Sequence, residues 1–203
     1  MQILTTPQEL AAQCRQWHAQ GEDIVLVPTM GYYHAGHESL MDHARPLARR
    51  MVVSLFVNPT QFGPNEDYAA YPRDEKADLA KCRAAGATAV FFPTPANMYL
   101  GGHSTYVVEE RLSQGLCGAR RPGHFRGVAT VVLKLFNIVT PDYCMFGQKD
   151  YQQVALLKKM IRDLSVPVEM HVVPTVRMES GLAFSSRNGL LTEDELKIAP
   201  HLY

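Results

Sequence analysis

Two histidines, His34 and His37, stand three residues apart with only Ala35 and Gly36 between them, directly after Pro28-Thr29-Met30-Gly31-Tyr32-Tyr33. An apolar run precedes this segment and a helical pattern follows it, so the pair falls where a helix begins. A helix N-terminus carries unpaired N–H groups and a partial positive charge, which suits a phosphate. Gly36 lets a phosphate or nucleobase approach the backbone closely. Each imidazole can donate to a phosphate oxygen, and a protonated one adds charge. Zinc is the competing chemistry, but zinc takes three or four ligands, and neither a Cys nor a third nearby His completes a set; His43 lies off the face. Spacing alone favours an ordinary pair of loop histidines. The preceding Pro-Thr-Met-Gly and the strand–turn–helix setting turn the balance to phosphate.

Other polar segments carry compatible chemistry. Lys149 follows Gly147-Gln148 in a turn that opens a helix, where a lysine places a point charge on a triphosphate; Asp150 can cap that helix. Ser185-Ser186-Arg187 joins two hydroxyl donors to a guanidinium fork, a grip for an oxyanion. Gln61 and Gln153 are neutral amides that donate and accept, as a hydroxylated carboxylic acid requires. Each of these has an ordinary surface or turn reading when taken by itself. Arg120-Arg121-Pro122-Gly123-His124-Phe125-Arg126 is a concentrated basic run, but it lacks the aromatic interleaving of a nucleic-acid surface. Neither a Walker A sequence nor G-x-G-x-x-G occurs, and Ser39, Ser104 and Cys117 have no nucleophile-elbow context.

The elements that must position these residues follow from periodicity. Thr6-Pro7-Gln8-Glu9 reads as a capping box opening the first element, a helix with Leu10, Cys14 and Trp17 on one face and Gly21 at its end. Ile24–Val27 is an apolar run expected of a strand buried on both faces. A helix is expected from about Gly36 to Arg50 with a kink at Pro46, then a strand over 51–57, a helix over 75–85 closed by Gly86, and a strand over 89–92. Thr105–Val108 reads as a further strand. Val128, Val131, Val132, Leu135, Phe136 and Val139 share one helical face. Strand 143–146, helix 151–164 and strand 168–173 complete the alternation. The expected fold is α/β: a doubly wound, Rossmann-like parallel sheet covering residues 1–175. In such a sheet ligands bind beyond the carboxyl ends of the strands, where four of the polar segments fall. After Pro174 the texture changes, and Thr192-Glu193-Asp194-Glu195 starts another capped helix. Residues 176–203 therefore read as the start of a second, smaller unit.

Composition narrows the function. The chain has 203 residues, 46% of them hydrophobic, enough for a sizeable core. Twenty Lys+Arg balance twenty Asp+Glu, so no global basic field favours nucleic acid. No stretch approaches the ~20 apolar residues that span a bilayer, and Met1-Gln2-Ile3-Leu4-Thr5 lacks signal-peptide character. Four scattered cysteines suit reduced thiols in a cytoplasm rather than a disulfide framework or a metal site.

Taken together, the segments resemble the pantothenate synthetase (pantoate–β-alanine ligase) family of the HxGH nucleotidyltransferase superfamily. The resemblance rests on Pro28–Gly31, His34–His37, Phe56-Val57-Asn58-Pro59-Thr60-Gln61-Phe62, Tyr71-Pro72-Arg73, Arg121–Val128, Phe146–Gln153 and Gly181–Asn188, and it spans essentially the whole chain. HxGH is shared by many adenylyltransferases; the Asn-Pro-Thr-Gln-Phe and Ser-Ser-Arg-Asn segments are far more specific. The resemblance implies ATP- and Mg²⁺-dependent joining of pantoate to β-alanine through a pantoyl adenylate, releasing AMP and pyrophosphate. It implies ATP contacts from Met30, Gly31, Tyr32, Tyr33, His34, Ala35, Gly36, His37, Gly147, Gln148, Lys149, Asp150, Val176, Phe184, Ser185, Ser186 and Arg187. His37 is implied as proton donor, with His34, Lys149 and Arg187 also catalytic. Gln61 and Gln153 are implied to bind pantoate, Gln61 also lying near β-alanine. A cytoplasmic homodimer with small-molecule partners, and neither nucleic acid nor membrane, is the accompanying expectation. Tyr32-Tyr33 stands where Ala-Leu is commoner, Ser180 where Asp is frequent, and Phe184 where Met or Leu is usual. Family members continue into a C-terminal domain that covers the ATP site. The chain ends at Tyr203, inside the helical pattern begun at Thr192, so a truncated lid and reduced activity are expected. Two alternatives remain at this point: an HxGH enzyme acting on a phosphorylated substrate such as phosphopantetheine, and a nucleotide-binding module without catalysis.

Overall fold

In a computed structural model, residues 1–64 and 66–202 are described; Asn65 and Tyr203, the latter read above as lying in the helical pattern begun at Thr192, fall outside them. The elements in chain order are β1 (Gln2–Leu4), α1 (Pro7–Ala19), β2 (Ile24–Thr29), α2 (Ala35–Ala44), β3 (Arg50–Leu55), α3 (Glu75–Ala84), β4 (Ala89–Phe91), α4 (Pro95–Met98), α5 (Cys117–Arg120), α6 (His124–Val139), β5 (Tyr143–Gly147), α7 (Tyr151–Asp163), β6 (Glu169–Val173) and α8 (Glu193–Ile198). The six strands form one parallel sheet in the order β1-β4-β3-β2-β5-β6. From β2 the chain winds outward through β3 and β4, then crosses back through α6 to place β5 on the other side of β2. This is the doubly wound architecture expected, with its switch point between β2 and β5.

The apolar runs are continuous because each strand has two buried faces. Ile24 and Leu26 belong to the core under α1, α6 and α7, whereas Val25 and Val27 belong to the core under α2 and α3. Successive side chains on a strand point to opposite faces, so neither face can be polar. Each such Leu or Ile contributes roughly 1.5–3 kcal/mol by leaving water. The capping box at Thr6 and Glu9 forms, and Leu10, Cys14 and Trp17 are the buried face of α1.

Several elements differ from expectation. The first element is a strand, β1, not a helix. It is only three residues long and pairs with β4 across most of the first half of the chain, so nothing local signals it. Pro46 ends α2 instead of kinking it: the helix stops at Ala44 and Arg50 already opens β3. Proline removes a helical donor and biases the residue before it away from helix. Thr105–Val108 is not a strand. The Val107 N–H donates to Thr130 Oγ1 of α6 at 2.9 Å, and the Tyr106 ring lies under the Arg126 guanidinium at 4.6 Å. That backbone donor is taken by a helix side chain, so no ladder forms. The capped helix at Thr192 is present as α8.

Candidate active site

The carboxyl ends of β2 and β5 lead to opposite faces of the sheet, and the crevice left between them holds a cavity of about 490 Å³. A smaller compartment of about 150 Å³ adjoins it toward α6 and shares Met30, His37, Gln61 and Gln153 with it. Of the residues singled out above, Met30, His34, Gly36, His37, Gln61, Gly147, Lys149, Asp150, Gln153, Val176, Phe184, Ser185, Ser186 and Arg187 line the larger cavity. Gly31, Tyr32, Tyr33, Ala35 and Gln148 do not. Tyr33 lies behind the wall: its ring packs on His37 with centroids 5.3 Å apart and its hydroxyl meets Thr29 Oγ1 at 2.8 Å.

The histidine pair doubles as the cap of α2. His34 is the N-cap residue, and its Nδ1 accepts from the Gly36 N–H at 3.2 Å. The His34 N–H in turn donates to His37 Nδ1 at 3.4 Å. With Nδ1 accepting in both rings, the neutral tautomer carries its proton on Nε2, leaving one N–H donor per ring for a ligand. Burial first, then the nearby His34 and Lys149, push the His37 pKa down to about 3; burial and Lys149 lower that of His34 also. Both rings are therefore neutral donors at pH 7. His37 thus presents an Nε2–H donor toward the cavity.

Gln61 is aimed by its neighbours. Asn58 caps the short turn Pro59–Gln61, its Oδ1 accepting from Thr60 N–H and Oγ1. Asn58 Nδ2 donates to Gln61 Oε1 at 3.1 Å and to the Gly127 carbonyl at 3.2 Å. Among the described residues the Gln61 side-chain amide N–H meets the Met30 sulfur at 3.1 Å, a weak acceptor. The acceptor half of Gln61 is thus engaged, and its donor half is what it presents to the compartment. The close approach needs Gly127: a Cβ there would lie 2.3 Å from the Thr60 carbonyl oxygen. His124 Nδ1–H donates to the Gln61 carbonyl at 2.8 Å, and its Nε2 accepts from Arg121 at 3.2 Å. Adjacent glutamines on α7 differ: Gln153 lines both compartments, while Gln152 lines only the larger one and its amide is engaged by the Cys117 N–H and the Leu112 and Gly115 carbonyls.

Charged groups complete the lining. Lys149 Nζ pairs with Asp150 Oδ1 at 3.1 Å; Asp150 occupies the N-cap position of α7, yet its side chain makes no cap bond there. Arg187 makes a two-pronged pair with Asp67 at 2.9 and 3.0 Å and lies over the Tyr71 ring. The Phe184 ring stacks on His34, centroids 6.1 Å apart. The basic run disperses, Arg121 joining Glu66 at the cavity and Arg126 covering Tyr106. Tyr71, Arg121 and His124 line the cavity without having been singled out as site residues. His124 and Arg121 lay inside a segment already quoted, but their partners are distant in sequence.

A profile of the family "Pantoate-beta-alanine ligase" matches residues 2–203. The pantothenate synthetase of Desulfovibrio desulfuricans is 60% identical over 202 residues, covering 100% of this chain and 72% of that protein. That of Nitratidesulfovibrio vulgaris (strain Miyazaki F) is 54% identical over 203 residues, again with 72% of its length covered. Among solved structures, pantothenate synthetase from Thermus thermophilus matches with a TM-score of 0.95 at 48% identity, over 100% of this chain and 72% of the other. Pantoate-beta-alanine ligase from Francisella tularensis, complexed with beta-gamma ATP and beta-alanine, matches with a TM-score of 0.94 at 38% identity, over 100% of this chain and 78% of the other. With a cavity of this composition at the switch point and matches of this extent, the chain belongs to the pantoate–β-alanine ligase family.

Proposed function

We propose that this chain condenses (R)-pantoate with β-alanine at the expense of ATP, through a pantoyl adenylate, releasing AMP and pyrophosphate. The observation that carries the reading is the pairing of two joined compartments. The larger one gathers His34, His37, Lys149 and the Ser185–Arg187 segment around a space of triphosphate chemistry. The smaller one has apolar walls from Phe56, Val131, Val132 and Leu135 beside Gln61 and Gln153, which suits a small branched hydroxy acid. A phosphorylated substrate would need cations there, and the lining offers neither Lys nor Arg, its one formally charged residue being Asp150.

A carboxylate is already a nucleophile at pH 7, so the first step needs no general base. Its difficulty is approaching a polyanion. The chain's contribution is orientation and charge stabilisation. Gln61 and Gln153 hold the acid, the Nε2–H groups of His34 and His37 donate to phosphate oxygens, and Lys149 and Arg187 offset charge on the departing pyrophosphate. A triphosphate-bound Mg²⁺ would neutralise part of that charge when present, and Asp150, a carboxylate on the cavity wall, is the residue that would help to hold it. Among the described residues no group of three His, Cys, Asp or Glu is placed to hold a metal by itself. Residues 176–203 are read as the start of a lid over the ATP site, supported by the stacking of Phe184 on His34 and by the Arg187–Asp67 pair. A cytoplasmic homodimer of the HxGH superfamily completes the proposal; no described helix is long and apolar enough to cross a membrane.

Incubation with ATP, Mg²⁺, pantoate and β-alanine tests it. Pantoate-dependent pyrophosphate release followed by pantothenate formation is expected. ATP binding without turnover overturns the reading in favour of a binding module.

A further inference from the structure

Between β2 and α2 the chain reverses through two successive left-handed residues, Gly31 at φ +83° and Tyr32 at φ +53°. Glycine adopts that conformation freely, whereas a tyrosine does so only where its surroundings impose it. The two N–H groups that follow, of Tyr32 and Tyr33, converge on one carboxylate. They donate to Asp78 Oδ2 at 2.7 Å and Oδ1 at 2.8 Å. Asp78 lies on α3, is only 2% exposed and lines neither compartment. A Cβ on Gly31 would stand 2.7 Å from Asp78 Oδ2, so carboxylate and turn are fitted to each other. One turn further along α3, Lys81 Nζ donates to the Tyr33 carbonyl at 2.5 Å and pairs with Glu38 of α2 at 2.9 Å. Tyr33 is therefore held at its N–H by one side chain and at its C=O by another. The next residue is His34, and the orientation of both imidazoles follows from where that residue starts α2.

We infer that Asp78, with Lys81 one turn on, is a positioning residue for the adenylation step, fixing His34 and His37 from behind the wall of the cavity. Bulk alone cannot do this. Each N–H reaches a different oxygen of one short side chain, and only a carboxylate carries two such acceptors. Asp78→Asn keeps the size and replaces one oxygen with a donor that faces an N–H. The inference rests on the proposed reaction, and the experiment separates the two.

Asp78→Asn and the wild-type chain are compared by pantoate-dependent pyrophosphate release and by the ring-nitrogen NMR signals of His34 and His37. The expected result is a folded variant whose kcat falls on the order of 10²-fold, as misplacement of reacting groups by about 1 Å produces, with the pantoate KM little changed. The two imidazoles should lose their common tautomer pattern. A folded Asp78→Asn chain with wild-type kcat and wild-type imidazole signals overturns the inference. If Asp78→Asn does not fold, Lys81→Met takes its place, releasing the same peptide unit from its carbonyl side; unchanged rate and signals there overturn it equally. A wild-type chain that releases no pyrophosphate refutes the proposed reaction, while the imidazole signals still decide the role of Asp78.

Discussion

The two walls of the cavity are built differently. On one side, the histidine loop and the Gly147–Asp150 turn grow from the central strands β2 and β5. The histidine loop rests on buried partners: Tyr33 and Leu40 beneath it and the Asp78 carboxylate behind it. On the other side, residues 174–201 include no buried residue among those described. That segment is folded on itself by an isolated antiparallel bridge, Arg177 to Ala183, and meets the rest of the chain through the Phe184 ring against His34, the Arg187–Asp67 pair and contacts of Ser186 and Arg187 with Tyr71. One wall is therefore preorganised by the fold and the other is docked by a few surface contacts. Groups that must stabilise charge without rearranging belong on the first wall; groups that admit and release a triphosphate belong on the second.

If this division is right, the largest losses come from the preorganised wall. Lys149→Ala and His37→Ala should each reduce pantoate-dependent pyrophosphate release on the order of 10²–10³-fold with the fold intact by circular dichroism. Arg187→Ala should cost less. A larger loss at Arg187 than at Lys149 would break the comparison.

The pH dependence of stability sharpens it. His37 is held neutral by burial, with a folded pKa of about 3 against an unfolded value near 6.5. Between those values the unfolded chain binds the extra proton, so this stabilisation is complete above about pH 6.5 and is lost as pH falls toward 3. The loss is roughly 2 kcal/mol between pH 6.5 and 5. Urea unfolding at several pH values should show a shallower slope, by up to one proton, for His37→Gln. An identical slope would mean that the imidazole is not sequestered as described.

Gln61→Ala removes a fixed donor from the inner compartment. Pantoate binding should weaken by ~1–3 kcal/mol by calorimetry, with ATP binding unaltered. Equal weakening of both ligands would place Gln61 in a purely structural role, holding Met30 and Asn58.

The smallest effect belongs to the docked wall. An exposed ion pair contributes ~0–1 kcal/mol, so Asp67→Asn should leave the unfolding free energy almost unchanged. It should, however, speed limited proteolysis within residues 174–190, because Arg187 loses its two-pronged partner. Unchanged cleavage would show that Phe184, rather than Arg187, is the latch.

Much of this was legible from residue order. The capping boxes at Thr6 and Thr192, the doubly buried runs of β2 and β3, and the gathering of His34, His37 and Lys149 at strand ends all follow from local pattern and one topological rule. The Asn-Pro-Thr-Gln-Phe and Ser-Ser-Arg-Asn segments carried the family. Local pattern failed where a partner lay far away along the chain. Strand β1 exists because β4 offers it an edge, and Thr105–Val108 is not a strand because Thr130 takes its donor. Nothing in the order of residues separates Gln152, whose amide is tied to the 112–117 loop, from Gln153, which reaches the inner compartment as well.

What the sequence determined by itself, then, is which chemical groups are present and which short-range elements carry them, since helix caps, turns and alternating burial depend on neighbours a few residues apart. Tertiary structure alone decided how those groups are aimed. Asn58 turns the Gln61 amide, burial makes the His37 imidazole neutral, and Asp78 holds the reversal that starts α2. Each of these is an interaction between segments whose separation along the chain is large or whose direction depends on side-chain geometry, and such contacts exist only once the sheet has brought its loops to one end.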